Sequence, residues 1–198
     1  MTAQTVSSTI AQNEIMRQDL NRSLIRNHIN PTQLSTLQRI VLTTDGTLTE
    51  ILEAYLFEKI RIVKLSEGIV SITQDIPPLA VKQGSEVIER KVLLQGKISR
   101  KNFIYAESIL VTERLDEKFK DELLHSKTPL GRLWLEHKLE TFKEIIDTAE
   151  ETADKLLEYF PLHPEDKVFS RTYRVFSQRQ PIMTITEKFP ASYFQAEF

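Results

Sequence analysis

The most constraining feature of the sequence is a stretch near its end, residues 181–190, which reads PIMTITEKFP. Apolar and polar residues alternate there with a period of two, which is typical of a β-strand with one buried face and one wet face. Glu187 breaks the pattern because it falls on the apolar face. An unpaired buried charge is very costly, so the sequence predicts that Glu187 is paired, protonated or used for binding.

A second predicted strand, residues 85–94, carries the same pattern with the same kind of exception. Three apolar residues share one of its faces with Arg90. The planar guanidinium of arginine suits a carboxylate, so a cavity lined by both Arg90 and Glu187 would fit a ligand with a carboxylate at one end and a hydroxyl or ether at the other. The same pattern also fits an Arg90–Glu187 ion pair, or two strand-end charges in contact with water. Counted in the same way, Glu107 is a third inward charge and an alternative partner of Arg90.

Segments with helical and strand periodicity follow one another along the chain. The pattern predicts helices near residues 31–40, 47–58, 115–125 and 129–137, and a polar helix at 148–159. It predicts strands at residues 60–72, with a possible break after Gly68, and at 85–94, 103–111, 139–146, 168–177 and 182–189. Short loops between neighbouring strands indicate antiparallel hairpins. The predicted fold class is therefore α+β, with a single mainly antiparallel sheet and helices.

The first 30 residues differ in composition from the rest, because they contain no aromatic residue and are rich in Thr, Gln and Asn. We expect residues 1–30 to be an N-terminal extension, with residues 1–8 disordered. Scattered apolar residues at 10–25 fit either a helical arm docked on the core or a frayed arm. Residues 31–198 show no internal repeat and no linker, which predicts one domain.

The composition argues against several classes of function. The 198 residues carry a net charge of −2, so there is no bulk positive field for nucleic acid. There is no apolar run long enough to span a membrane and no secretory signal pattern. The absence of cysteine excludes thiolate chemistry, and the four histidines lack metal-ligand spacing. We therefore expect a cytoplasmic protein with no metal site.

Other polar residues are interpreted as structural. Glu144 and Asp147 are predicted to be solvated rather than a catalytic pair. Arg171, Tyr173 and Arg174 form a small basic and aromatic group, which is more often a solvated strand face than a surface for RNA.

Several stretches together resemble the bacterial chorismate lyase (chorismate pyruvate-lyase) family. They are KTPLGR at residues 127–132, RKVLL at 90–94, the hairpin that ends in PIMTITEKFP, and LTTDGTLT at 42–49 before a predicted helix. The resemblance covers residues 35–192 in the right order. It implies an antiparallel sheet with helix–turn–helix flaps over a buried ligand. It also implies release of pyruvate from chorismate, with no metal or organic cofactor, to give 4-hydroxybenzoate for ubiquinone or plastoquinone biosynthesis.

The resemblance assigns roles to four residues. Arg90 matches the arginine that binds the ring carboxylate, and Glu187 matches the glutamate near the 4-oxygen. Leu130 matches a backbone contact from a flap, and Leu48 an apolar contact. Kept protonated by an apolar setting, Glu187 would be the general acid for the ether oxygen.

Departures from the family pattern point to a divergent, cyanobacterial-type branch. Glu107 stands near where ubiquinone-pathway members have an arginine, which leaves open what binds the second carboxylate of chorismate. Residues 148–166 resemble an insertion. The same fold serves as the effector-binding domain of some transcription regulators, so a non-enzymatic binder of aromatic acids is the alternative function, although 30 N-terminal residues are too few for their DNA-binding domain. A third interpretation is an interaction module that uses the acidic segment 148–159.

Overall fold

The computed structural model describes residues 17–126 and 128–195. Within these residues the chain forms five α-helices and six strands around one sheet. The helices are α1 (Gln18–Arg26), α2 (Thr36–Thr43), α3 (Leu48–Leu56), α4 (Glu117–His125) and α5 (Leu130–Glu136). The strands are β1 (Ile60–Ser71), β2 (Glu86–Gly96), β3 (Asn102–Val111), β4 (Phe142–Thr152), β5 (Lys167–Ser177) and β6 (Gln180–Pro190).

The strand order is β1-β2-β3-β6-β5-β4, and every pair of neighbours is antiparallel. This confirms the predicted α+β class with a single antiparallel sheet. β1 is one strand rather than two, because it continues through Gly68 with only a register shift between Lys64 and Ser66. No helix in the described part of the chain is long and apolar enough to cross a membrane.

The hairpin between β5 and β6 sets the position of Glu187. Its two turn residues, Gln178 and Arg179, have φ of 49° and 66°. Positive φ at both central residues is the geometry of a tight two-residue hairpin. One register shift at Val175 and Phe176 then places Arg171 opposite Glu187.

The predicted polar helix at residues 148–159 is wrong. β4 continues to Thr152, and a 3₁₀ turn at Asp154–Leu156 follows it. The charged residues of this edge strand serve cross-strand ion pairs, since Glu150 binds Lys167 at 2.7 Å and Glu151 binds Lys188 at 2.6 Å. The helical propensity of Ala and Glu was therefore overridden by strand pairing.

The predicted helix at residues 31–40 is interrupted. Asn30 caps a 3₁₀ turn at Pro31–Gln33, and α2 starts afresh after Ser35. Ser35 and Gln38 form a capping box, in which each side chain binds the backbone N–H of the other residue.

One face of the sheet packs against the helices and holds the main core. Leu20 and Leu24 of α1 are fully buried in that core, and the Ser23 hydroxyl lies 3.0 Å from that of Thr148 on β4. Residues 18–26 thus form a docked helix, not a frayed arm. The predicted disorder of residues 1–8 lies outside the described residues, and the domain boundary at residue 30 stays a prediction.

The opposite face of the sheet carries a smaller cluster. Residues 153–162 cover it, so the segment that looked like an insertion packs on the sheet. Its members are Leu93, Tyr105, Ala153, Leu156, Phe160 and Val168.

Candidate active site

A small cavity of about 60 Å³ lies between the helix-covered face of the sheet and the first turns of α3 and α5. All four residues that the sequence singled out line it. They are Leu48, Arg90, Leu130 and Glu187. The structure thus brings together side chains from β2, β6 and the two helix–turn segments, and the roles of these residues stay predictions.

Arg90 is almost fully buried, with 4% of its surface exposed. Its Nε donates to Oε2 of Glu67, the residue opposite it on β1, at 2.8 Å. Burial lowers the pKa of Arg90, and the charge of Glu67 opposes this shift. The Nη2 group of Arg90 is buried without a hydrogen-bond partner among the residues that the structure describes. An N–H in this state is a ready donor for an acceptor in the cavity.

The two ion pairs suggested for Arg90 by the sequence are both wrong. Its partner is Glu67, not Glu187. Glu107 lies on the opposite face of the sheet, where Tyr105 donates to it and Lys91 is 3.8 Å away.

Glu187 is held by two donors from β5. The Nε of Arg171 donates to its Oε2 at 2.7 Å, and the hydroxyl of Tyr173 donates to its Oε1 at 3.2 Å. The expected apolar setting of Glu187 is therefore wrong. Burial, assisted by the charge of Glu187, raises the pKa of Tyr173 well above its usual value, so this phenol remains a donor.

Arg171 and Tyr173 were missed as site residues. Their exposed fractions are 1% and 5%, so the prediction of a solvated face was wrong for both. Arg174 does lie on the other face, where it pairs with Glu144 at 2.7 Å. The usable signal was the alternation of residues 169–175, which puts Arg171 on the same face as two buried apolar residues.

Lys143 on β4 is a second missed residue of the cavity wall. Its Nζ donates to the backbone carbonyls of Asp45 at 2.8 Å and Gly46 at 3.2 Å. It lies 5.3 Å from the centre of the Trp134 ring. Burial lowers the pKa of Lys143 to about 8; the charge of Glu187 opposes this shift, and nearby arginines reinforce it.

The two covering segments touch each other above the cavity. A Cβ at Gly131 on α5 would lie 2.4 Å from Cγ2 of Thr47, the residue before α3. Only glycine allows this approach without displacing Thr47. Next to this contact, the indole Nε1 of Trp134 is buried without a hydrogen-bond partner in the described part of the chain.

A family model described as "Chorismate pyruvate-lyase Rv2949c-like" matches residues 42–196. The chain belongs to this family. The chorismate pyruvate-lyase of Mycobacterium leprae is 29% identical over 178 residues, which are 88% of this chain and 83% of the relative. The enzyme of the same name from Mycobacterium tuberculosis H37Rv is 29% identical over 164 residues, 79% of this chain and 81% of the relative.

Solved structures show that the fold is shared more widely than the family. The effector domain of PhnF from Mycobacterium smegmatis aligns with a TM-score of 0.57 at 15% identity, over 74% of this chain and 90% of that one. The C-terminal domain of the histidine utilization repressor from Pseudomonas syringae aligns with a TM-score of 0.55 at 12% identity, over 71% and 97%. At such low identity, the likeness concerns the fold alone.

The match to the chorismate pyruvate-lyase family covers the whole cavity wall. All lining residues fall within residues 42–196, including the missed Lys143 and Tyr173. Their partners Glu67 and Arg171 fall there too. The assignment to a cyanobacterial-type branch stays a prediction.

Proposed function

We propose that this protein is a chorismate pyruvate-lyase that forms 4-hydroxybenzoate and pyruvate in the cavity between Arg90 and Glu187. The observation that carries the proposal is the unpartnered Nη2 of Arg90 in a cavity that also contains a carboxylate. A buried donor without an acceptor costs about 1–3 kcal/mol, and a ligand carboxylate on Arg90 would remove this cost.

Glu67 supports the binding role of Arg90. Because Nε is occupied by Glu67, the orientation of the guanidinium is fixed before a ligand arrives. The ring carboxylate of chorismate then accepts from Nη2. The ring extends along the sheet toward Glu187, between the apolar side chains of Leu48 and Leu130.

Glu187 begins the reaction as a carboxylate, because two donors from β5 already bind it. This replaces the role of initial acid that the resemblance suggested. Glu187 removes the proton from ring carbon C4 while the bond from C3 to the ether oxygen breaks. The electron pair of the C4–H bond completes the aromatic ring, and the pair of the C–O bond leaves with enolpyruvate.

The same proton completes the second product. It passes from Glu187 to enolpyruvate, which then rearranges to pyruvate. The two products together contain all the atoms of chorismate, and no electron carrier is required because the elimination involves no net oxidation. Arg171 keeps the carboxylate oriented during both transfers.

Substrate access requires residues 47–49, at the start of α3, to separate from residues 129–134, at the start of α5. Pockets for small molecules have volumes of about 300–1,000 Å³, far more than this cavity offers. An adjoining groove of about 830 Å³ shares Thr47, Thr49, Ile62 and Pro129 with the cavity wall. Glu50 and Glu53 also line this groove, but its basic side chains are more numerous and suit a doubly negative substrate. They are Lys59, Arg61, Lys64, Lys97 and Arg132.

The test is incubation of the purified chain with chorismate, without added metal, while 4-hydroxybenzoate and pyruvate are quantified. We expect equimolar products. The Arg90→Met variant should lose about 100-fold or more in kcat/KM, since it loses a charge-assisted hydrogen bond. Lys91→Met is the matched control, because it removes the neighbouring cation on the opposite face of the sheet.

The same experiment distinguishes the lyase from the alternative function, a non-enzymatic binder of aromatic acids. Tight binding of 4-hydroxybenzoate without turnover of chorismate would favour a non-enzymatic binder. If neither turnover nor binding occurs, the proposal fails.

The pathway and the location are part of the proposal. From the resemblance we infer that the product supplies quinone biosynthesis, and from the composition that the reaction takes place in the cytoplasm. Deleting the gene should lower the quinone content of the cells, and added 4-hydroxybenzoate should restore it.

A further inference from the structure

Lys143 is a cation of the cavity wall that makes no direct ion pair with the described residues. Arg90 is paired with Glu67, whereas no carboxylate among residues 17–126 and 128–195 lies within 4.0 Å of Lys143. An ammonium group has three N–H donors. Two of them bind the carbonyls of Asp45 and Gly46, and the described residues provide no acceptor for the third. A partly buried charge in this state is stabilised when an anion joins it.

Across the sheet, Glu187 lies between Lys143 and Arg90, whereas along the strands Lys143 is level with Met183 and Arg90 is level with Ile185. Arg90 is on β2 and Lys143 on β4, and β6 with Glu187 lies two strands from each. Four strand spacings of about 4.8 Å across the sheet and two residue steps of about 3.4 Å along it separate the two backbones by about 20 Å, a gap that two long side chains narrow from both ends. A ligand that forms an ion pair with each of these cations therefore carries an anionic group at each end.

Trp134 adds a second donor on the side of Lys143. Its ring centre is 5.3 Å from the Lys143 Nζ, and its Nε1–H has no partner in the described residues. A carboxylate has two oxygens and can accept from an ammonium and an indole N–H at once.

We propose that Lys143, together with the indole N–H of Trp134, binds the enolpyruvyl carboxylate of chorismate. This inference rests on the proposed function and names the group that recognises the second negative charge of the substrate. Lys143 would thus replace the arginine that ubiquinone-pathway members of the family have near position 107. In this chain that position is Glu107, which faces the other side of the sheet.

The assignment implies discrimination between substrate and product. Chorismate has both carboxylates, whereas 4-hydroxybenzoate keeps only the one on Arg90. Elimination therefore releases the group on Lys143 with pyruvate. The lowered pKa of Lys143 agrees with an ammonium group in a dehydrated position. The charged groups that face it are Glu187, Arg171 and Arg17.

The test compares two ligands in three variants. Steady-state kinetics with chorismate and calorimetric binding of 4-hydroxybenzoate are measured for Lys143→Met, Arg90→Met and Lys188→Met. Lys188 is the matched control, because it lies next to Glu187 on β6 but pairs with Glu151 on the opposite face.

We expect Lys143→Met to reduce kcat/KM for chorismate by about 10- to 100-fold, the loss of one charged hydrogen bond. Its Kd for 4-hydroxybenzoate should change less than about threefold, whereas Arg90→Met should weaken both ligands. Lys143→Arg, which keeps the charge, should recover part of the activity. Equal losses for both ligands in Lys143→Met, or no loss for either, would overturn the inference.

Failure of the proposed function would give a different result. If the unmodified chain makes no 4-hydroxybenzoate, chorismate binding is measured directly. A selective loss of chorismate affinity in Lys143→Met would then support the second carboxylate site in a protein that binds chorismate without converting it. An unselective result would overturn it.

Discussion

Arg171 and Glu187 form a buried ion pair that joins β5 to β6 beneath the cavity. Their Nε–Oε2 distance is 2.7 Å, and the two side chains are only 2% and 9% exposed. The Nη1 of Arg171 also donates to the carbonyls of Leu42 and Thr44, at 3.3 and 3.0 Å. One guanidinium thus orients the proposed catalytic carboxylate and fixes the segment that leads into α3.

Removing Arg171 should destabilise the fold. We expect Arg171→Met to lower the free energy of unfolding by about 3–5 kcal/mol, because the charge of Glu187 is left buried and unpaired. In the double variant Arg171→Met/Glu187→Gln this loss should be markedly smaller than the sum of the single losses. Urea unfolding of the four proteins measures the coupling.

A partly exposed ion pair between β5 and β4 is the control for this cycle. Arg174 binds Glu144 with side chains 30% and 35% exposed, so Arg174→Met should cost about 1 kcal/mol or less. Strict additivity of the Arg171 and Glu187 substitutions would show that the two groups do not depend on each other.

The contact between Gly131 and Thr47 should control how well the cavity is covered. In Gly131→Ala, the new methyl group collides with Thr47 and pushes α5 away from α3. We expect faster release of 4-hydroxybenzoate, by about tenfold if 1.4 kcal/mol of closure energy is lost. Stopped-flow fluorescence of Trp134, the single tryptophan, reports the rate.

A second substitution tests this cause. Thr47 makes no capping hydrogen bond with its side chain, so Thr47→Ala is a mild change. Combined with Gly131→Ala, it removes the colliding Cγ2 and should restore slow release. If the double variant releases 4-hydroxybenzoate as fast as Gly131→Ala alone, the alanine at position 131 acts on α5 itself rather than through Thr47.

The pKa of Lys143 predicts two effects of pH. Its folded value of about 8 lies below its usual 10.5, so the unfolded chain binds more protons between these values. Stability from this group should therefore rise as pH rises from about 8 to 10.5. Chorismate affinity should fall over the same range, because the ammonium loses its charge.

Comparison with Lys143→Met isolates both effects from other titrating groups. Unfolding free energies and KM values for chorismate are measured at pH 7.5 and 9.5 for both proteins. Between pH 7.5 and 9.5, Lys143→Met should gain less stability than the unmodified protein. Its interaction with chorismate should not weaken over this range through loss of the lysine charge. Parallel pH curves for the two proteins would contradict the assignment.

The sequence predicted the residues of the cavity better than their partners. Arg90 and Glu187 stand out because each is a lone charge in a row of apolar residues, and strand periodicity survives errors in strand boundaries. The pairing of Arg171 with Glu187 was missed because it depends on the register shift at Val175 and Phe176. A slip of one residue would set Arg171 opposite Thr186, on the other face.

Lys143 was missed for a different reason. It lies in the strand predicted at residues 139–146, where charged residues fall on both faces, so Lys143 does not stand out as a lone charge in an apolar row. Its hydrogen bonds to the carbonyls of Asp45 and Gly46 connect distant parts of the chain. Such contacts leave no mark in a local pattern.

The turn between β5 and β6 offers a stabilising change that leaves the site intact. Arg179 is exposed and has φ of 66°, a left-handed conformation that glycine adopts more easily. We expect Arg179→Gly to raise the free energy of unfolding by about 0.5–1 kcal/mol, because the strain that is relieved exceeds the extra conformational entropy that glycine loses on folding. Arg179→Ala is the matched control, because it removes the same charge but keeps the Cβ that disfavours this conformation. Because the turn keeps its geometry, Arg171 stays opposite Glu187 and chorismate turnover should be unchanged. Equal stabilisation by both substitutions would assign the gain to charge rather than to the backbone.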